Sequence, residues 1–259
     1  MENYIVSFTT VLILFGLYKL FGKLLPVDKA EYKTDKTVEE LRKKYLKFDL
    51  KQLGMFALLT VGLVFILFKL FSVLVDLRLS LISDITIIVK PYPEMILIIS
   101  LFSGMLLATL TMFAISKRLL KNDWDEYLAY SNLKYKFNYV KVSKYTIRIF
   151  AFITGLLIIA FLDWYSAFGQ QEIKLNGLLS IGAKTYKYSD INKIKEVERL
   201  KAPNGNIVDD PHFIIEFSDG EKWNSRDNGF ANYDQDSDII DLLTTKTKIE
   251  LIELEFDNE

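Results

Sequence analysis

The stretch LGMFALLTVGLVFILFKLFSVLV, residues 53–75, contains a single charged side chain, Lys69. At a rise of about 1.5 Å per residue, a helix of this length crosses a hydrocarbon core roughly 30 Å thick. Three more runs of this kind lie in the first two-thirds of the chain, at Tyr4–Leu25, Tyr92–Ser116 and Thr146–Phe168. The sequence therefore predicts an all-α domain of four transmembrane helices over residues 1–168, followed by a soluble domain over residues 169–259.

Composition excludes several kinds of chemistry. The chain has 259 residues, no cysteine and one histidine, His212. Disulfides, thiolate metal sites, cysteine nucleophiles and multi-histidine metal sites within one chain are therefore excluded. Lysine and arginine (32) nearly balance aspartate and glutamate (33). We expect no nucleic-acid partner, no cofactor and no metal ion.

The distribution of basic residues predicts the orientation in the membrane. Loop one, residues 26–52, and loop three, residues 117–145, are rich in lysine, whereas loop two, residues 76–91, carries only Arg78 and Lys90. Basic loops stay in the cytoplasm. Loops one and three are therefore predicted to be cytoplasmic, and both termini extracytoplasmic, in a bacterial cell membrane. We also expect the lipid bilayer as a partner, with anionic headgroups near residues 26–52 and 117–145.

The first apolar run is predicted to be a retained helix. Only Glu2 among charged residues precedes it, so it lacks the basic segment that opens a signal peptide. Its apolar stretch is also longer than that of a typical signal peptide, and Pro26 is a natural stop for a helix.

Both cytoplasmic loops carry an apolar stripe at helical spacing. In loop one, Thr37 and Glu40 form a capping-box pattern ahead of the first stripe. The stripes comprise Val38, Leu41, Tyr45 and Phe48 in loop one, and Leu120, Trp124, Tyr127 with Leu128, and Ser131 in loop three. Two interpretations are open: the stripes lie on an anionic membrane surface, or they pack on each other or cap the helix bundle.

Small residues recur every four positions in the third run, at Ser100, Gly104 and Ala108. Such spacing lets helix backbones approach closely. Ala151 and Gly155 repeat the pattern more weakly in the fourth run. We expect these faces to make contacts within the transmembrane unit, with a homo-oligomer seam as the alternative.

Beyond Gly169 the pattern changes to short β-rich segments separated by turns. Asp219-Gly220 joins two of them in the form of a tight hairpin. An amphipathic helix is predicted around residues 235–247. The predicted strands are Glu172–Leu175, Leu178–Ile181, Lys184–Tyr188, Ile191–Leu200, Phe213–Phe217, Lys222–Ser225 and Ile249–Phe256.

This tail resembles the bacterial PH-like domains found on multi-pass membrane proteins. The resemblance rests on Tyr188-Ser189-Asp190-Ile191 entering a strand, on Phe217-Ser218-Asp219-Gly220-Glu221-Lys222-Trp223, and on one late helix. It covers roughly residues 170–248, and residues 249–256 are an extra segment. The resemblance implies a small α+β domain that serves protein association through residues 170–259 rather than catalysis. It does not imply phosphoinositide binding, because the tail is rich in acidic residues.

Two acidic clusters are candidates for chemistry. Asp209, Asp210 and His212 could bind a cation or move protons, but a solvated loop is the preferred interpretation. Asp234, Asp236 and Asp238 alternate as in a calcium loop, yet lack its central glycine and distal glutamate. These acids are better placed to cap the helix that follows. Phe213, Phe217 and Trp223 are assigned to the core or hairpin of the tail.

The sequence therefore favours an integral membrane protein that presents a PH-like domain for protein binding or scaffolding, without catalysis. An oligomeric small transporter or channel is the first alternative. A membrane-bound enzyme that uses Asp209, Asp210 and His212 is the second.

Overall fold

The computed structural model describes residues 19–20, 22–27, 34–178, 180, 182–201, 205–226 and 233–256. Most of the first predicted run, Tyr4–Leu25, lies outside these residues. The helices are α1 (Val38–Ser80), α2 (Pro93–Leu120), α3 (Trp124–Tyr135), α4 (Tyr139–Leu162) and α5 (Tyr233–Thr247). The strands are β1 (Ile85–Val89), β2 (Tyr165–Gly169), β3 (Glu172–Asn176), β4 (Lys184–Lys187), β5 (Ile191–Lys201), β6 (Ile207–Phe217), β7 (Lys222–Asn224) and β8 (Leu251–Phe256).

Three helical segments of the described chain are long and apolar enough to cross a membrane. They are Val38–Ser80, Pro93–Tyr135 and Tyr139–Leu162. The first contains the second predicted run, and the other two contain most of the third and fourth. The chain divides into two compact units. The first comprises the described residues up to Phe65 with Leu101–Gly155, and the second comprises Ile66–Ser100 with Leu156–Glu259.

Helix α1 is longer than the predicted second run. It begins in loop one, where Thr37 N donates to Glu40 Oε2 at 2.8 Å and Glu40 N donates to Thr37 Oγ1 at 3.3 Å. This reciprocal pair is the predicted capping box. The helix then continues without a break through the apolar run, because residues 45–55 contain no proline that would end it. The amphipathic helix of loop one and the second run are therefore one element.

The apolar stripes of loops one and three pack on each other. Leu41, Tyr45, Tyr127 and Tyr130 form one buried cluster, with Phe48, Leu120 and Trp124 packed against it. The rings of Tyr45 and Tyr127 meet edge to face at 5.2 Å. Of the two interpretations for these stripes, mutual packing is the one that the structure shows.

The small-residue face of α2 contacts α1. A Cβ built on Gly104 would lie 2.9 Å from Val64 Cγ2 and 3.3 Å from Val64 N. Ser100 and Ala108 on the same face are fully buried. The predicted close approach of helix backbones is confirmed for this face. At Gly155, by contrast, an added Cβ meets no atom within 4 Å, so the weaker repeat on α4 makes no comparable approach among the described residues.

Helix α4 ends earlier than predicted. The predicted fourth run extends to Phe168, but α4 stops at Leu162 and Tyr165–Gly169 forms β2. All five residues of β2 are buried. A strand that is buried on both faces lacks the alternation of apolar and polar residues that marks an ordinary strand. Periodicity alone therefore cannot distinguish it from the end of an apolar helix.

Loop two supplies a strand that the sequence analysis did not predict. Strand β1 pairs antiparallel with β2, with Ile88 opposite Ala167 and Val89 opposite Ser166. Strands β1, β2, β3 and β4 then form the first sheet in that order, and the second sheet has the order β7-β6-β5-β8. Strand β8 runs parallel to β5, and the other neighbouring strands are antiparallel.

Two cores lie on opposite faces of the first sheet, since alternate residues of its strands join different clusters. On one face, Phe168 meets Trp223 of the second sheet edge to face at 5.3 Å. On the other, Tyr165 and Ala167 pack with the ends of the helices. The core between the sheets contains Val89, Phe168, Ile173, Tyr186, Ile191, Ile194, Phe213, Ile215, Phe217 and Trp223, with Ile239, Ile240 and Leu243 from α5.

The tail otherwise follows the predicted pattern with two differences. The Asp219-Gly220 hairpin is confirmed, with Ile215 opposite Trp223 and Gly220 at a φ of 85°. Leu178 and Ser180, from the predicted strand Leu178–Ile181, lie outside any strand. Ser180 N instead donates to Gly177 O at 3.1 Å, which closes a turn after Asn176. Strand β6 begins at Ile207, earlier than predicted.

Candidate functional site

The hairpin formed by β5 and β6 extends beyond its neighbouring strands. Strand β8 pairs with β5 as far as Arg199, and β7 pairs with β6 only around Ile215. Past those points the two strands pair only with each other, with Leu200 opposite Val208. We call residues 199–201 and 205–209 the β5–β6 arm. Two of its apolar side chains are exposed: Ile207 by 58% and Val208 by 41%.

Charged side chains surround the base of the β5–β6 arm. Arg199 donates from Nε to Asp209 Oδ1 at 3.2 Å and from Nη1 to Glu255 Oε1 at 2.9 Å. Exposed ion pairs of this kind add little stability. An apolar centre with a polar rim is, however, the common anatomy of a protein-binding surface.

The Asp209-Asp210-Pro211-His212 cluster lies in strand β6 and not in the predicted solvated loop. Asp210 forms an ion pair with Arg226 at 2.8 Å, while Asp209 contacts Arg199. The buried His212 donates from Nδ1 to the Asp210 carbonyl oxygen at 2.8 Å. The strand tolerates Pro211 because the β5–β6 register shifts there, between Val197 and Arg199. Each carboxylate thus has a cationic partner on the same domain.

The second acidic cluster contains a buried carboxyl group. Asp236, in the first turns of α5, is 7% exposed and accepts a hydrogen bond from Ser225. Its other oxygen, Oδ1, has no partner among the described residues. Burial raises the pKa of Asp236 to about 6. Among the described residues, no group of three or more histidine, aspartate or glutamate side chains is placed to hold a metal ion.

A tyrosine and an aspartate connect the two sheets near the hairpin. Tyr186 stacks on Phe217 at 3.9 Å, and its hydroxyl donates to Asp219 Oδ2 at 3.0 Å. Burial, helped by the hydrogen bond to Asp219, raises the pKa of Tyr186 to about 12. The pKa of Asp219 is lowered, chiefly because it accepts a hydrogen bond from the Glu221 backbone. This contact is structural, and it fixes the turn that begins β7.

The first unit contains a polar cluster around Asp49. Lys134 Nζ lies 3.0 Å from Asp49 Oδ2, Tyr127 OH donates to Asp49 Oδ1 at 3.0 Å, and Tyr130 OH lies 3.4 Å from Oδ2. Lys134 also lies over the rings of Tyr130 and Tyr135, at 5.3 and 5.2 Å. Asp49, on helix α1, thus accepts hydrogen bonds from three side chains of helix α3, and these contacts fix the position of α1 relative to α3.

Neither the Asp49 cluster nor strand β1 is among the features predicted from the sequence, although the sequence contains a local pattern for each. Asp49 follows Tyr45 by four residues, and Lys134 follows Tyr130 by four, so each pair shares a helix face. Residues 85–89 read Ile-Thr-Ile-Ile-Val, a β-branched run typical of a strand. Neither signal could reveal its partner, which is distant along the chain.

No protein-family model, curated protein or solved structure matches this chain.

Proposed function

We propose that this protein is an integral membrane protein that holds a small PH-like α+β domain against its helix ends for protein binding or scaffolding. The observation that carries the proposal is the first sheet. Its strand β1 lies between two candidate membrane helices, and β2 follows a third after only Asp163 and Trp164. The domain is thus attached to the helices through three short connections.

The packing of β2 supports a rigid attachment. Its Tyr165 and Ala167 contribute to the core at the helix ends, while Phe168 contributes to the core between the sheets. A strand shared by two cores leaves no room for a flexible linker between helix and domain. A rigid attachment of the domain to the helices suits a scaffold, because a partner bound to the domain is then held at a fixed position relative to the bilayer.

The order of elements supports the PH-like assignment. The resemblance requires strands followed by one late helix, and α5 follows seven strands and packs Ile239 and Leu243 into the core between the sheets. Strand β8 is the extra segment after that helix, and it extends the second sheet. The β5–β6 arm offers the exposed apolar surface that a protein partner would cover.

Strand pairing also bears on the orientation. Because β1 and β2 share a sheet, loop two and the tail must lie on the same side of the membrane. This agrees with the predicted arrangement, in which both are extracytoplasmic and the basic loops are cytoplasmic.

Sidedness is tested by labelling single cysteines with an impermeant maleimide on intact cells. The native chain has no cysteine, and Asn206 and Asn122 are both exposed. We expect labelling of Asn206→Cys and not of Asn122→Cys until the cells are opened. The reverse pattern would invert the proposed topology and place the domain in the cytoplasm.

Partner binding is tested with the full chain purified from membranes. We expect the double variant I207D/V208D to lose its co-purifying protein at least tenfold, because charge in the centre of an interface is costly. The control is Ile252→Asp, an exposed apolar residue of the same sheet away from the β5–β6 arm. An identical set of partners for all three proteins would contradict the proposal, and ion flux in liposomes would favour the channel alternative.

A further inference from the structure

The first unit contains a partly open cavity of about 430 Å³, lined by helices α1, α2, α3 and α4. This volume is in the range of small-molecule sites in proteins. We call the apolar side chains of its lining the apolar wall and the polar side chains the polar wall. The apolar wall consists of Leu50, Leu53, Phe56, Met112, Phe113 and Ile147, and the polar wall includes Asp49, Gln52, Ser116, Ser131, Lys134 and Tyr139.

The cavity lies where three helices change from charged to apolar sequence. In α1 the change falls between Lys51 and Leu53, in α2 between Ser116 and Lys117, and in α4 after Arg148. In a membrane helix, this change marks the level of the lipid headgroups. Most of the apolar wall therefore lies at the depth of acyl chains, and the polar wall lies nearer the depth of phosphates.

Lys134 is the cation of the polar wall. Its ammonium group has three N–H donors, one of which Asp49 accepts at 3.0 Å. The side chain is 38% exposed, so the remaining donors can reach an oxygen atom in the cavity. Tyr130 and Tyr135, under the ammonium group, restrict where it can move.

The surroundings of the cavity favour an anion. Asp49 offsets part of the charge of Lys134, and lysines of loops one and three that flank the lining residues in sequence, Lys51, Lys141 and Lys144, add positive charge. Such juxtamembrane lysines attract anionic headgroups. An amphiphile fits these properties, because its apolar chain suits the apolar wall and its anionic head suits the polar wall and the positive charge of the nearby lysines.

We propose that this cavity binds one acyl chain of an anionic phospholipid, with the phosphate of that lipid accepting a hydrogen bond from Lys134. The site is separate from the partner surface on the β5–β6 arm, and it rests on the proposed insertion of these helices in a membrane. It also differs from loose surface attraction, because it predicts a defined place for one chain between Phe56, Met112 and Ile147.

Native mass spectrometry of the delipidated full chain tests this site, with phosphatidylglycerol and phosphatidylcholine of identical chains as probes. We expect the wild-type protein to bind the anionic lipid more tightly. Lys134→Ala should weaken that binding about tenfold, whereas Asp49→Asn should strengthen it by releasing Lys134 from its carboxylate. The control Lys47→Ala removes the same charge from an exposed position outside the cavity and should change binding less than twofold.

The apolar wall has its own matched pair of variants. Ile147→Trp fills the cavity and should abolish tight binding of both lipids, while Ile149→Trp, on the exposed face of the same helix, should leave it unchanged. Thermal unfolding of each variant verifies that it is folded. Equal binding by the two tryptophan variants, or equal losses in Lys134→Ala and Lys47→Ala, would show non-specific surface lipid and overturn the proposal.

Discussion

Arg78 Nη2 donates a hydrogen bond of 2.8 Å to Asp163 Oδ1, which joins the end of α1 to the residue after α4. The other oxygen of Asp163 accepts a hydrogen bond of 2.8 Å from Asn176 Nδ2 at the end of β3. Asn176 is 3% exposed. One carboxylate therefore connects two helix ends to the first sheet, at the place where the domain meets the helices.

The first prediction concerns this connection. Asp163→Ala should destabilise the protein by about 1–2 kcal/mol, because buried Asn176 loses an acceptor and Arg78 loses its anion. The control is Asp76→Ala, which breaks an exposed pair with Lys90 and should cost under about 1 kcal/mol. Thermal midpoints in one detergent at one scan rate measure both. Equal shifts would mean that Asp163 makes only a surface ion pair.

The second prediction concerns the pairing of loop two with the tail. In the double variant I88C/A167C the cysteines are directly opposite on antiparallel strands, where Cα atoms are about 4.5–5.5 Å apart. This separation permits a disulfide, so mild oxidation should close one, detectable by mass spectrometry of the digest. The control pair I88C/K187C lies on the two edge strands of the same sheet, about 14 Å apart. Cross-linking of the control alone would disprove the strand order.

The third prediction concerns helix packing. Gly104→Leu should destabilise the protein by about 1–3 kcal/mol, because the new side chain must push α1 away at Val64. Gly155→Leu places the same side chain where no atom lies within 4 Å of the added Cβ, and it should be close to neutral. Thermal unfolding of the two variants distinguishes them. A larger loss in Gly155→Leu would instead indicate that the α4 face is a contact surface.

The fourth prediction concerns pH. The folded-state pKa of Asp236 is raised from 3.8 to about 6, so the unfolded chain releases this proton first as the pH rises. The stability that the protonated Asp236 side chain contributes is therefore lost as the pH rises from about 4 to about 6. The Asp236→Asn variant has no buried carboxylate at any pH. Its free energy of unfolding, relative to that of the wild-type protein, should therefore increase by about 2 kcal/mol between pH 4 and pH 7.

Unfolding midpoints at pH 4, 5, 6 and 7 measure this effect. Asp238→Asn, at an exposed position of the same helix, is the control and should change the free energy of unfolding at pH 7 by less than about 0.5 kcal/mol. A relative stability of Asp236→Asn that falls as the pH rises would show that the buried carboxylate is stabilised by its surroundings.

Local patterns were read correctly where the signal lies within one element. The capping box at Thr37, the Asp219-Gly220 hairpin and the core position of Trp223 each depend on residues close together in the chain. The stripe containing Tyr45 was also found, but its partner Tyr127 was one of two open choices. Helical spacing shows that a face is apolar and does not show what covers it.

By itself, the sequence determined that the chain has segments long and apolar enough to cross a membrane, the approximate place of the second, third and fourth runs, and the sheet-plus-helix character of the tail, because hydropathy and turn chemistry are local properties. Only the tertiary structure decided that Ile85–Val89 and Tyr165–Gly169 are paired strands, and that Asp49 and Lys134 meet across the first unit. Strand pairing and ion pairing depend on groups distant in sequence. A strand buried on both faces, such as β2, also has no periodicity that could distinguish it from the helix before it.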